Sequence, residues 1–204
     1  IKVKNMVEVP NQSQIWRKLS RGSLILLVFL LPLFFLPFTS NAIDFNKQAL
    51  LVFLVLISLF AWLLKSLIEE KISLSLHWFN LAPIFLILVL GASTMLSAYS
   101  YASFWGWPLT VAASFLTSLC LVLLYFQISH IFKEPEEIFG LLFVLIASGL
   151  LVSLVSLPQI FGKFPLPFNF TKTNSFNPVG SANSLAIFLA VLLPLASSLI
   201  FISR

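Results

Sequence analysis

Charge is what this chain of 204 residues has least of: Asp, Glu, Lys and Arg together make up 9%. A soluble domain averages roughly 25% charged residues, so a water-exposed fold is excluded. A disordered chain is poor in aromatic and branched residues, whereas here 59% of residues are hydrophobic and Phe occurs 22 times. What remains is an integral membrane protein. There is one cysteine, Cys120, set inside an apolar run, which excludes an internal disulfide and any Cys-pair metal site. The two histidines, His77 and His130, have no partner at metal-ligand spacing. They read as interfacial anchors. P-loop, dinucleotide, zinc and Ser-His-Asp patterns are all missing, so no cofactor and no metal are expected. The net charge of +5 does not point to nucleic acid, because the basic residues sit at the ends of apolar runs and not in one interleaved stripe.

What is present is a succession of long uncharged intervals. None carries a charge between Arg21 and Asp44, Lys47 and Lys65, Lys71 and Lys133, Glu137 and Lys163, or Lys172 and Arg204. The third is too long for one crossing and is broken by His77-Trp78-Phe79-Asn80 and by residues 98–108. A helix needs ~20 apolar residues to cross ~30 Å of hydrocarbon. The chain therefore predicts an all-α membrane domain of about six spans, near 22–39, 48–66, 80–97, 109–129, 138–157 and 183–203. The run from Leu24 lacks a small-x-small cleavage site and is interrupted by Pro32 and Pro37, so it reads as a first span and not as a cleaved signal. With the N-terminus cytoplasmic, the inner segments hold Lys2, Lys4, Arg17, Lys18, Arg21, Lys65, Lys71, Lys133 and Arg204. The outer loops hold only Lys47, Lys163 and Lys172. That asymmetry obeys the positive-inside rule. Loops 40–47, 98–108 and 158–182 then lie outside, the last one stiff and rich in Pro and Phe.

Ionisable side chains offer little chemistry. Glu69, Glu70, Glu134, Glu136 and Glu137 read as solvated residues, the last two favouring a helix N-terminus. Asp44 reads as a surface partner of Lys47. No span carries an ionisable residue near its middle, where ion-coupled transporters place theirs. The most informative stretch is Asn174 to Pro194, in which small polar residues crowd the mouth of the last apolar run. Lys172 precedes it and could meet a phosphate. Backbone amides around Gly180 could add an anion site. Asn174, Asn177 and Asn183 could hydrogen-bond sugar hydroxyls, and capping and turn formation account for the same residues. Ser181 or Asn183 is expected to cap the last span.

Three passages carry a resemblance: Leu36 to Gln48, Met95 to Gly106, and Ser175-Phe176-Asn177-Pro178-Val179-Gly180-Ser181-Ala182-Asn183 with the following Ser184-Leu185-Ala186. Together they resemble the N-terminal half of the bacterial O-antigen ligase and O-antigen polymerase family. In the third passage the order differs from the family's Asn-Pro-Asn-like pattern, with Asn177-Pro178 followed only later by Asn183. The resemblance implies a multi-pass protein of the bacterial inner membrane. It also implies transfer of a glycan from a polyprenyl-diphosphate carrier on the extracytoplasmic side, without metal or nucleotide sugar. Lys172, Asn174, Asn177, Gly180 and Asn183 would then line the carrier-glycan site. The family's catalytic Arg and His lie farther along than these 204 residues reach, so the chain is expected to be part of a longer protein and inactive alone. A transporter component and a non-catalytic membrane scaffold are the alternatives.

Overall fold

Every regular element in the computed structural model is helical, and it describes residues 11–36, 43–70, 78–106, 110–163, 171–172 and 177–202. In chain order these are α1 (Asn11–Leu33), α2 (Asp44–Ile68), a 3-10 turn (Trp78–Asn80), α3 (Leu81–Met95) and α4 (Ser100–Trp105). A second 3-10 turn (Val111–Ala113), α5 (Phe115–Ile131), α6 (Pro135–Ile160) and α7 (Ala182–Ile202) follow. Among the described residues three helices, α2, α6 and α7, are long and apolar enough to cross a membrane. α3 and α5 are equally apolar but have 15 and 17 residues. At 1.5 Å per residue they rise only about 22–26 Å.

The outward surface is apolar. α3 buries none of its side chains, and Phe53, Phe60, Phe85, Phe143 and Leu193 all stand exposed. Such a surface is stable only against hydrocarbon, which makes this a membrane protein.

The core is built where α1, α2 and α5 meet. Buried positions on α2 recur at Leu51, Leu54, Val55, Ser58 and Ala61, the spacing of one helical face. They pack with Leu27 of α1 and Cys120 of α5. Near the other end of these helices, Leu24, Ile131 and Phe132 form a second cluster. Lipid gives no hydrophobic reason for helices to associate, so close approach and interhelical hydrogen bonds do the work. Ser20 and Ser58 meet there: their hydroxyls are 3.0 Å apart, and each also lies 3.1–3.2 Å from the other's backbone carbonyl. At the α6–α7 contact, Gly149 leaves room for the Leu192 side chain.

Several sequence expectations change. α1 starts at Asn11, well before the expected span start at 22, because residues 11–21 contain no helix breaker and bury Ser13 and Ser20. α1 is not among the helices long and apolar enough to cross a membrane. Between α3 and α5 the expected break at residues 98–108 holds the short α4, closed by Gly106. α5 begins at Phe115 instead of 109, since the Ser114 hydroxyl accepts the Thr117 N–H at 3.2 Å and fixes the first turn. Glu137 is no solvated cap. Its carboxylate pairs with the Arg21 guanidinium, lies 3.9 Å from Arg17 and accepts the Lys133 N–H at 3.3 Å. Arg21 also donates to the Ile131 carbonyl at 3.2 Å. Glu137 thus ties the start of α6 to α1. His77 and, in loop 158–182, residues 164–170 and 173–176 lie outside the described residues.

The helix directions define two ends. One gathers the starts of α2, α5 and α7, and we call it the Lys47 end. The other gathers Arg21, Ile131 and Glu137, and is the Arg21 end.

Candidate functional site

Lys47 and Gln48, consecutive residues in the first turn of α2, organise the first of these ends. Neighbouring helical residues point about 100° apart, so the two side chains serve different partners. Lys47 Nζ donates to the Val179 carbonyl at 2.9 Å, fastening α2 to the turn before α7. Gln48 Nε2 lies 3.1 Å from the Trp105 carbonyl and 3.0 Å from both Ser114 Oγ and Thr117 Oγ1. An amide NH2 has two hydrogens, so these three acceptors share them. Ser114 donates to Thr117 at 3.0 Å, and Thr117 to the Val111 carbonyl at 2.9 Å. Gln48 and Ser114 are both buried, and this satisfied network fixes the α4–α5 connection against α2.

The turn itself comes from local chemistry. Asn177 is buried, and its Oδ1 accepts the Val179 and Gly180 N–H groups at 3.0 and 3.1 Å. An asparagine side chain imitating a backbone turn does this. Gly180 follows at φ 143°, a backbone region essentially closed to other residues. The Ser181 hydroxyl accepts the Ser184 N–H at 3.1 Å, so Ser181 caps α7, and Asn183 stands exposed in its first turn.

Between α3, α4 and α5 lies a cleft of about 620 Å³. Its polar lining is Ser93, Thr94, Ser97, Ser103, Thr110 and Ser114, with Tyr99 beside them. Some hydroxyls are partly engaged: Ser103 donates to Ser97 at 2.7 Å and Thr94 to the Leu90 carbonyl at 2.8 Å. No carboxylate, imidazole or amine is among the lining residues. Ser114 belongs both to this lining and to the Gln48 network.

No protein-family model, curated protein or solved structure matches this chain.

Of the residues singled out in the sequence, Asn177 and Gly180 are brought together in one turn. Lys172 and Asn183 are exposed, and Asn174 lies outside the described residues. Among the described residues no group of His, Cys, Asp or Glu could hold a metal ion. The Lys47 and Gln48 contacts and the hydroxyl cleft were not found by sequence reasoning. The one available signal was the concentration of Ser and Thr from Ser93 to Ser103 and again at Thr110, Ser114 and Thr117. Chemically, the arrangement can exchange many neutral hydrogen bonds with a ligand. Among the described residues the lining adds no charge to the cleft, so these contacts suit a neutral polar molecule.

Proposed function

We propose that this chain is the membrane-embedded portion of an O-antigen ligase- or polymerase-like glycosyltransferase, and that its Lys47 end receives the glycan of a polyprenyl-diphosphate carrier. The observation that carries this reading is the uncharged, hydroxyl-lined cleft of about 620 Å³ at that end. Its size falls within the ~300–1,000 Å³ common for small-molecule sites. Paired donors and acceptors without charge suit a polyhydroxylated ligand, and the adjoining apolar helix surfaces suit a long isoprenoid tail. In this reading the chain crosses the bacterial inner membrane about six times with its N-terminus in the cytoplasm. The distribution of Lys and Arg supports that orientation, in which the cleft lies outside. The short α3 and α5 cross where the surrounding lipid thins or tilts the helices. Lys172 stands as a cation for the carrier diphosphate, with Gly180 and the asparagines around it shaping the approach. Reacting groups come from beyond these residues, and the isolated chain is inactive.

The test is photo-crosslinking in nanodiscs with a polyprenyl-diphosphate glycan that carries a diazirine on its sugar. Crosslinks are expected on α3, α4 and the start of α5, and are expected to fall several-fold in Ser103→Phe, which fills the cleft. Labels spread along the lipid-facing helices, unchanged by that substitution, would refute the assignment. A protease-protection map placing the Lys47 end on the cytoplasmic side would refute the orientation.

A further inference from the structure

We propose that the Arg21 end binds an anionic glycerophospholipid, with its phosphate held beside Arg17, Arg21 and Lys133 and one acyl chain entering a slot beneath Trp62. Two cavities lie at this end, and Trp62 and His130 line both of them. The first, about 330 Å³, brings the cations Arg17, Arg21, Lys65 and Lys133 together with three glutamates. The second, about 180 Å³, runs from Trp62 and His130 between Leu59, Leu123 and Phe126 and is almost wholly apolar. A charged pocket beside a greasy one, with the same two rings lining both, suits an amphiphile.

The charge arrangement selects the headgroup. Lys65 pairs with Glu69 at 3.6 Å. Arg17 and Arg21, by contrast, share the single carboxylate of Glu137, and the Arg21 Nε is buried without a hydrogen-bond partner. With Lys65 and Glu69 paired, Arg17, Arg21 and Lys133 face the carboxylates of Glu134 and Glu137, which leaves one positive charge over, and a phosphate oxygen balances it with charge-assisted bonds. Trp62 packs edge-on against the His130 ring at a centroid distance of 6.3 Å, which places an indole at the junction of headgroup and chain. Tryptophan favours that depth in membranes. This site is separate from the glycan cleft and stands whether or not that reading holds.

The experiment places the full chain in nanodiscs of phosphatidylcholine doped with a minor fraction of either phosphatidylglycerol or phosphatidylcholine bearing brominated acyl chains. Quenching of Trp62 is read as the difference between the wild type and Trp62→Phe, whose fold is checked by circular dichroism. Brominated phosphatidylglycerol is expected to quench more strongly at equal mole fraction. Arg17→Gln, at a half-exposed side chain, is expected to weaken that preference about fivefold, equivalent to roughly 1 kcal/mol for one cation near an anionic lipid. Lys133→Gln is expected to act in the same direction and serves if Arg17→Gln folds poorly. Equal quenching by the two lipids would overturn the proposal. So would a preference untouched by both substitutions. Excess inorganic phosphate is expected to leave the quenching unchanged; if it abolishes the preference, the site reads phosphate alone and the lipid assignment is overturned.

Discussion

Replacing Gly106 with alanine should cost the protein more than the same change at Gly162, and the difference isolates one close approach at the wall of the hydroxyl cleft. Both glycines have left-handed backbones, at φ 82° and 70°. For other residues that conformation costs about 1–2 kcal/mol. At Gly162 no atom of the described residues lies within 4 Å of an added Cβ, so the backbone term dominates. At Gly106 the added atom would lie 2.6 Å from Val111 Cα, 2.9 Å from Ser114 Cβ and 2.9 Å from the Thr110 carbonyl oxygen. None of these is the free end of a flexible side chain, so the α4–α5 connection has to move. Overpacking of this kind adds about 1–3 kcal/mol. Gly162→Ala should therefore destabilise by about 1–2 kcal/mol and Gly106→Ala by about 2–5 kcal/mol. Unfolding in mixed micelles, followed by far-ultraviolet circular dichroism, compares the two directly. A second readout is the labelling rate of Ser97→Cys by a polar maleimide, which should change with Gly106→Ala and not with Gly162→Ala. If the two alanine variants lose equal stability and label alike, the close packing of Gly106 on Val111 is wrong.

Two further experiments probe the contacts that hold α2 in place. Gln48→Leu strips the Trp105 carbonyl and the Ser114 and Thr117 hydroxyls of a buried donor, and should cost about 1–3 kcal/mol, measured by the same unfolding assay; a variant as stable as wild type would show that the network contributes nothing net. For Ser20 and Ser58, a double-mutant cycle to alanine should give a coupling of about 0.6 kcal/mol and no more than about 1.7 kcal/mol. Strict additivity would mean that the two hydroxyls do not interact.

The helical character was legible in the sequence because lipid enforces it: long uncharged runs have no other stable form across hydrocarbon. The turn before α7 was legible too, since Asn177, Gly180 and Ser181 act within a few residues of one another. α1 was misjudged in length because hydropathy reports which residues face lipid, and Arg17, Ser20 and Arg21 instead face protein partners. The Lys47 end was illegible for a different reason. Gln48 finds its acceptors on residues 57 to 69 positions away, and no local pattern encodes such a meeting. Glu137 likewise reads as a helix-start acid until α1 is laid beside it.

The Lys47–Val179 bond also has a history in time. Its partners are 132 residues apart, and at a synthesis rate of about 5–20 residues per second roughly 7–26 s pass between their translation. For that interval the first turn of α2 exists without its carbonyl acceptor, while α1, α2 and α5 already have the residues of their shared core. Among these residues the Lys47 end is therefore completed after the α1, α2 and α5 core that supports it.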